Sequence, residues 1–149
     1  VSEFYRKNNL VSLTVGWSEY YAGAAHPNHG LETINIFGDQ AGIITVEELF
    51  DLKTSALYYL RDYVNLDIRR QALESESWEI GRYVESYGWE VFKHFSFNEN
   101  GMVINLSASA GLPHVLGFTD VYFPWEHIGE QLSPTARRIL LADTSEEIT

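Results

Sequence analysis

Phe95-Ser-Phe-Asn-Glu-Asn-Gly-Met-Val-Ile-Asn-Leu106, then Ser107-Ala-Ser-Ala-Gly-Leu-Pro-His-Val-Leu-Gly117, then Val121-Tyr-Phe-Pro-Trp125, is the stretch on which the fold turns. It reads as strand, tight turn, strand, an eleven-residue loop without periodicity, strand, and the start of a helix running towards Ile128. The Asn100-Gly101 pair is a strong hairpin signal because both residue types tolerate positive φ. Pro124 stops the last strand, since it has no N–H to give a ladder. These features speak of sheet architecture and not of chemistry.

Upstream, Val11, Leu13, Val15, Trp17 and Tyr21 alternate with Ser12, Thr14, Gly16 and Ser18. That period of two predicts a half-buried strand whose odd positions form the apolar face, with Glu19 the one intruder. A small, turn-rich segment follows, Ala22-Gly-Ala-Ala-His-Pro-Asn-His-Gly30, and Leu31 to Phe37 resumes the extended pattern. The two runs make a long hairpin with a wide loop, ended by Gly38-Asp-Gln-Ala-Gly42.

Thr45-Val-Glu-Glu48 has the form of a capping box and opens a helical turn carrying Leu49 and Phe50. A longer helix is expected from about Thr54 towards Leu73, with Leu57, Leu60, Val64 and Ile68 on one face. Ser77 can cap another, holding Ile80, Tyr83, Val84 and Tyr87 at helical spacing before Gly88. Ser133-Pro134 is a cap followed by proline at the first helical position, so a short helix runs to about Leu141. The order of hairpin, helices and further strands predicts an α+β fold. Two to three helices pack on one face of an antiparallel sheet, in a single domain spanning 1–149. Its core is expected at about 11–141, with an acidic, frayed tail at 143–149. Blocks 11–37 and 95–125 are expected side by side in that one sheet.

A chain of 149 residues, 45% hydrophobic, can build a core without a staple. Its net charge of −11 argues against nucleic acid and anionic membranes, both of which attract basic patches. There is no cysteine, hence no thiol nucleophile and no disulfide framework. No run approaches the roughly 18 apolar residues needed to span a bilayer. The chain starts at Val1, which reads as a processed or trimmed piece, so a membrane connection is expected only through an upstream anchor.

His26-Pro-Asn-His29 is the first constellation with chemistry to offer. Two imidazoles three apart need a third ligand on a regular scaffold to hold a metal, and none stands at an indicative spacing. Turn formation is the reading, with no metal and no cofactor. Ser107 and Ser109 lack a nucleophile elbow, and neither dinucleotide-binding nor Walker glycine patterns occur. The aromatics Tyr20, Tyr21, Trp78, Trp89, Tyr122 and Trp125 offer rigid contact area for a sugar or a protein partner. Tyr20 stands out, because it falls on the polar side of its strand beside the wide loop.

Two blocks resemble the bacterial DUF3298 (RsiV-like C-terminal) domain family. Tyr20-Tyr-Ala-Gly-Ala-Ala-His-Pro-Asn-His-Gly30, Thr33-Ile-Asn-Ile-Phe37 and Ile44-Thr-Val-Glu-Glu-Leu-Phe50 are similar to the family's Tyr-x-Gly-Gly-Ala-His motif and the strand and helix entry after it. Phe95-Ser-Phe97, Gly101-Met-Val-Ile104, Pro113, Gly117 and Val121-Tyr-Phe-Pro-Trp125 are similar to its closing strands. The likeness covers about Val11 to Leu132. Two departures stand out: Gly-Gly-Ala-His is Gly23-Ala-Ala-His26 here, and the tyrosine- and glutamate-bearing loop is Ser109-Ala-Gly-Leu-Pro-His114.

The resemblance implies an extracytoplasmic, envelope-associated module, since family members include sensing domains of membrane-anchored anti-sigma factors, domains preceding a peptidoglycan deacetylase, and lipoproteins. The expectation is a non-catalytic module binding a protein, with lysozyme as one candidate, or a peptidoglycan fragment. Loops 22–30 and 107–117 carry that binding, through Tyr20, Tyr21, His26, His29, Pro113 and His114. The rival from another class is an envelope polysaccharide hydrolase or a deacetylase-associated domain, using His26 or His114 with a carboxylate.

Overall fold

A computed structural model describes residues 2–38, 42–74, 88–106 and 119–141. Within them the strands form two antiparallel sheets. The first has the order β1-β2-β3-β4, with β1 Ser2–Lys7, β2 Leu10–Glu19, β3 Asn28–Phe37 and β4 Gly42–Ile43. The second is β5-β6-β7: Phe95–Asn98, Gly101–Leu106 and Thr119–Pro124. Helices α1 (Lys53–Glu74), α2 (Trp125–Ile128) and α3 (Pro134–Leu141) complete the α+β architecture. No helix among the described residues is long and apolar enough to cross a membrane.

Several local expectations hold. The wide hairpin runs in register from Leu10↔Phe37 to Glu19↔Asn28. Glu48 accepts hydrogen bonds from the Thr45 N–H and hydroxyl, starting a single 3-10 turn that buries Val46 and Leu49. The long helix buries Ala56, Leu60, Val64 and Ile68, with Leu57 half-buried beside that stripe. The Ser133 hydroxyl accepts from the Ala136 N–H at 3.1 Å, capping α3 as the Ser-Pro pair predicts. The helix expected over 77–87 and the acidic tail lie outside the described residues.

Other expectations are corrected. One strand comes earlier than the pattern from Val11 indicates: Ser2–Lys7 pairs along its whole length with β2. Its charged residues hide the alternation, and Asn8, at φ 51°, makes the turn that joins it. In the second hairpin Asn100 is not in the positive-φ region. Instead the Asn98 side chain accepts from the Asn100 and Gly101 N–H groups at 2.8 and 3.1 Å, which sets the turn. Gly101 is required for a different reason. A Cβ there would stand 2.0 Å from the Phe123 carbonyl oxygen across the β6–β7 ladder.

The largest correction concerns the single sheet. Residues 11–37 and 95–125 lie in separate sheets, and the open edge of β5 meets the inner face of β2 and β3. An edge strand leaves every second N–H and C=O unpaired, and buried backbone groups must find partners. Three side chains of the first sheet supply them. The Phe95 N–H donates to the Thr33 hydroxyl at 3.2 Å, and Asn35 Nδ2 donates to the Phe95 carbonyl at 2.7 Å. The Phe97 N–H donates to the Ser12 hydroxyl at 3.0 Å, and that hydroxyl donates onward to Asn35 Oδ1 at 2.6 Å. Each such bond nets about 1 kcal/mol, whereas stranding a buried partner costs about 1–3 kcal/mol.

This joint inverts the burial of the first sheet. Ser12, Thr14 and Asn35 are buried, while Val15, Trp17, Ile34 and Ile36 are exposed. The odd positions of β2, expected to face the core, face outward instead. Period-two alternation separates two faces but does not say which is covered, and here the polar face is needed against the β5 edge.

Below the joint a single core takes over. Leu10 and Phe37 join Leu49, Phe92, Ile104, Phe123, Ile128 and Leu140 in one buried cluster. Strand β6 is buried along its whole length. Helix α1 is bound to β7 through Tyr63, whose ring stacks on Phe123 at 4.2 Å and whose hydroxyl donates to the Tyr122 carbonyl at 3.1 Å. Lys7 Nζ reaches the Leu140 carbonyl at 3.2 Å, placing a cation at the C-terminal end of α3 where the helix dipole favours it.

His94, just before β5, is half-buried. Desolvation first, then the Lys93 charge, hold its imidazole below the usual range, and Glu32 partly opposes them. A base with a depressed native pKa binds fewer protons folded than unfolded, so its neutral form favours the fold. Stability is therefore complete above pH 6.5, the ordinary value, and declines as pH falls below it. Urea midpoints measured on either side of that pH are expected to show the decline, and His94→Gln is expected to flatten it.

Candidate functional site

Strand β1 flanks β2 only as far as Val15, and β4 flanks β3 only at Ile36 and Phe37. Among the described residues, the hairpin from Gly16 to Leu31 is therefore a two-stranded arm carrying the loop 20–27 at its tip. A hairpin without flanking strands needs its own devices to hold shape.

At the base of the arm, Trp17 pairs with Gly30, and its indole lies directly over the glycine: a Cβ at Gly30 would stand 1.9 Å from the ring. The aromatic thus covers a backbone that has no side chain of its own. Trp17 remains 51% exposed. Gly30→Ala is expected to push the indole off the strand, shifting tryptophan emission and near-ultraviolet dichroism. The urea midpoint should move little, because the residues displaced are surface residues.

At the tip, the Ala24 N–H donates to the Tyr21 carbonyl at 3.0 Å around Ala22-Gly23. Gly23 has φ +90°, as a type II turn requires at its third residue. Both tyrosines are tethered. The Tyr20 hydroxyl donates to the Ala24 carbonyl at 2.8 Å, and the Tyr21 hydroxyl donates to Glu19 Oε2 at 2.8 Å. The Glu19 hydrogen bond is also what raises the Tyr21 phenol above its ordinary pKa. Both rings stay more than half exposed. Rigid, exposed aromatics on a projecting element make a contact surface with little ordering cost.

His26 and His29 are exposed, and His26 Nδ1 lies 3.3 Å from the Pro27 carbonyl oxygen. No group of three metal-ligating side chains occurs among the described residues. Of the six expected ligand residues, Tyr20, Tyr21, His26 and His29 therefore share the arm, while Pro113 and His114 lie outside the described residues. Trp17 is the residue that the pattern assigned to the wrong side. Its signal was Gly30, a strand glycine opposite a tryptophan once register is known.

A cleft of about 320 Å³ lies beside the joint, lined by Glu3, Tyr5, Thr14, Ser96, Asn98 and Glu99. Burial, then the Glu99 charge, raises the Tyr5 phenol, so the site resists carrying further negative charge. The Thr14 hydroxyl behind its wall is buried without a hydrogen-bond partner.

These elements define an α+β domain of two edge-to-face sheets bearing an aromatic arm. The same fold is found in a DUF3298 family member from Bacteroides fragilis NCTC 9343, with a TM-score of 0.68 and 17% identity, matching 97% of this chain and 56% of that one. A DUF3298 family protein from Pseudomonas aeruginosa PAO1 matches with a TM-score of 0.63 and 11% identity, over 91% of this chain and 61% of that one. The chain has the DUF3298 domain fold, and the likeness holds with two sheets in place of the expected one. It spans between half and two thirds of the length of these two structures. No family model matches the sequence, and no curated protein matches it.

Proposed function

We propose that this chain is a non-catalytic binding and sensing module of the bacterial cell envelope, acting outside the cytoplasm and engaging a protein or a peptidoglycan fragment through its arm. The observation that carries the reading is the arm itself: Trp17, Tyr20 and Tyr21 are exposed yet held in place by Gly30, Ala24 and Glu19. Aromatics of this kind dominate recognition energetics. The net charge of −11 steers basic partners, and a basic lysozyme fits both the charge and the envelope setting.

Calorimetric titration with lysozyme and with muropeptides tests this. At least one is expected to bind, and Trp17→Ala with Tyr21→Ala is expected to weaken binding by at least about tenfold, as loss of hot-spot aromatics does. Absence of binding to both ligands contradicts the reading, as does binding that ignores the aromatic pair.

A further inference from the structure

Register places the Glu3 and Tyr5 side chains on the polar face of the first sheet, since they pair across the ladder with Thr14 and Ser12. Glu99, in the turn between β5 and β6, stands on the other wall of the 320 Å³ cleft beside the joint. Among the described residues no lysine, arginine or histidine lines this cleft, and neither Glu3 nor Glu99 has an ion-pair partner. A cleft walled by charge of one sign concentrates the field inside it. The Glu99 charge acts on the Tyr5 phenol there, second to burial.

Surface carboxylates are commonly just solvated, but Thr14 is not a surface residue. Its side chain lines the cleft, is only 8% exposed, and carries a buried hydroxyl with no hydrogen-bond partner. Buried hydroxyls are nearly always bonded, and one left open costs stability. Its neighbours on that face are committed: Ser12 serves Phe97 and Asn35, and Thr33 serves Phe95. The Asn98 carbonyl oxygen is taken by the turn, accepting from the Asn100 and Gly101 N–H groups. The groups left open are therefore mainly acceptors: two carboxylates and the Thr14 oxygen.

We infer that this cleft binds the primary ammonium of an alkylamine, such as a lysine side chain, with Glu3, Glu99 and Thr14 as its acceptors. An ammonium has three donors and no acceptor, which matches the open set. An anion would meet two carboxylates. A metal ion fits less well, because no group of three metal-ligating side chains occurs among the described residues. A cleft of this size is at the lower end for small-ligand sites, about 300 Å³, and suits a single extended group. The site is separate from the arm and goes beyond the function proposed for it.

Heteronuclear NMR titration of the full chain at constant ionic strength tests the inference. Nα-acetyl-lysine amide is the probe, and Nα,Nε-diacetyl-lysine amide is the uncharged control. Saturable shifts are expected at the Glu3, Thr14, Ser96 and Glu99 amides, with a Kd on the order of 1–10 mM for a single half-exposed charged group. The arm amides from Trp17 to Tyr21 should stay still, so the result is independent of ligand binding there. Shifts reproduced by n-butylamine support a site for the ammonium and its alkyl chain alone; shifts confined to the lysine amide support a peptide-borne side chain. Glu3→Gln with Glu99→Gln, both at exposed positions, is expected to weaken binding at least about tenfold. Thr14→Val keeps the shape and removes the hydroxyl. It should weaken binding several-fold while raising the urea midpoint, a combination that a purely structural threonine would not give. Absence of saturable shifts overturns the inference. Equal shifts from the diacetylated control do so too, as does undiminished binding in either folded variant.

Discussion

Replacing Asn35 with leucine is expected to lower the unfolding free energy by about 3 kcal/mol, because it strands buried polar groups without opening a large cavity. Asn35 is 1% exposed and works in two directions. Its Nδ2 donates to the Phe95 carbonyl at 2.7 Å, and its Oδ1 accepts from Ser12 at 2.6 Å. Leucine fills a similar volume but offers neither group, so the Phe95 carbonyl faces hydrocarbon where it faced an amide. The Ser12 hydroxyl can turn elsewhere but keeps only its bond from the Phe97 N–H. Urea denaturation reads the loss as a lower midpoint at constant slope. Ser12→Ala should cost less alone, and the pair should be non-additive by about 1 kcal/mol, since both belong to one network. A loss for Asn35→Leu below about 0.5 kcal/mol, the range of ordinary surface changes, would mean that the joint contributes nothing beyond contact.

Phe123→Ala is expected to be as damaging or worse, at about 4 kcal/mol, in the range for deleting a fully buried ring. Phe123 is fully buried, pairs with Met102 in the ladder and stacks on Tyr63 of α1 at 4.2 Å. Its removal leaves a void between the long helix and β7. Phe123→Leu keeps most of the volume and should cost less than about 1.5 kcal/mol. Tyr63→Phe removes only the hydrogen bond to the Tyr122 carbonyl and should cost about 1 kcal/mol. If Tyr63→Phe proved as costly as Phe123→Ala, the hydroxyl rather than the ring stack would be what fastens α1.

Much of the local structure was legible in the residues because each signal is self-contained. The spacing of Leu60, Val64 and Ile68, the Thr45–Glu48 box and the Ser133-Pro134 cap depend only on neighbours in the chain. Strand β1 was not legible, since Glu3, Arg6 and Lys7 leave no apolar alternation to read. The orientation of β2 could not be read from β2 at all. Val11, Leu13 and Val15 form as clean an apolar face as any buried strand, and what turns them outward is the need of β5, some 80 residues later, for hydroxyl and amide partners. Sequence separates two faces; only the third element decides which is covered. The arm shows the same limit. Its loop and tyrosines were evident, but Trp17 was assigned to the interior because Gly30, its cross-strand partner, is known only from register.

The polar joint also links fold to function. By fixing the first sheet through its hydroxyl and amide face, it leaves the arm projecting and the aliphatic face open. The proposed ligand contact at the arm rests on that arrangement.

Native-state amide hydrogen exchange at Phe95 and Phe97 tests the joint most directly. These two N–H groups lie on the unpaired side of β5, where an ordinary edge strand exchanges quickly. Bonded to Thr33 and Ser12, they are expected to be protected as strongly as the Ile104 amide in the buried central strand, and Ser12→Ala should selectively release Phe97. Rapid exchange at both positions in the wild-type protein would contradict the edge-to-face joint.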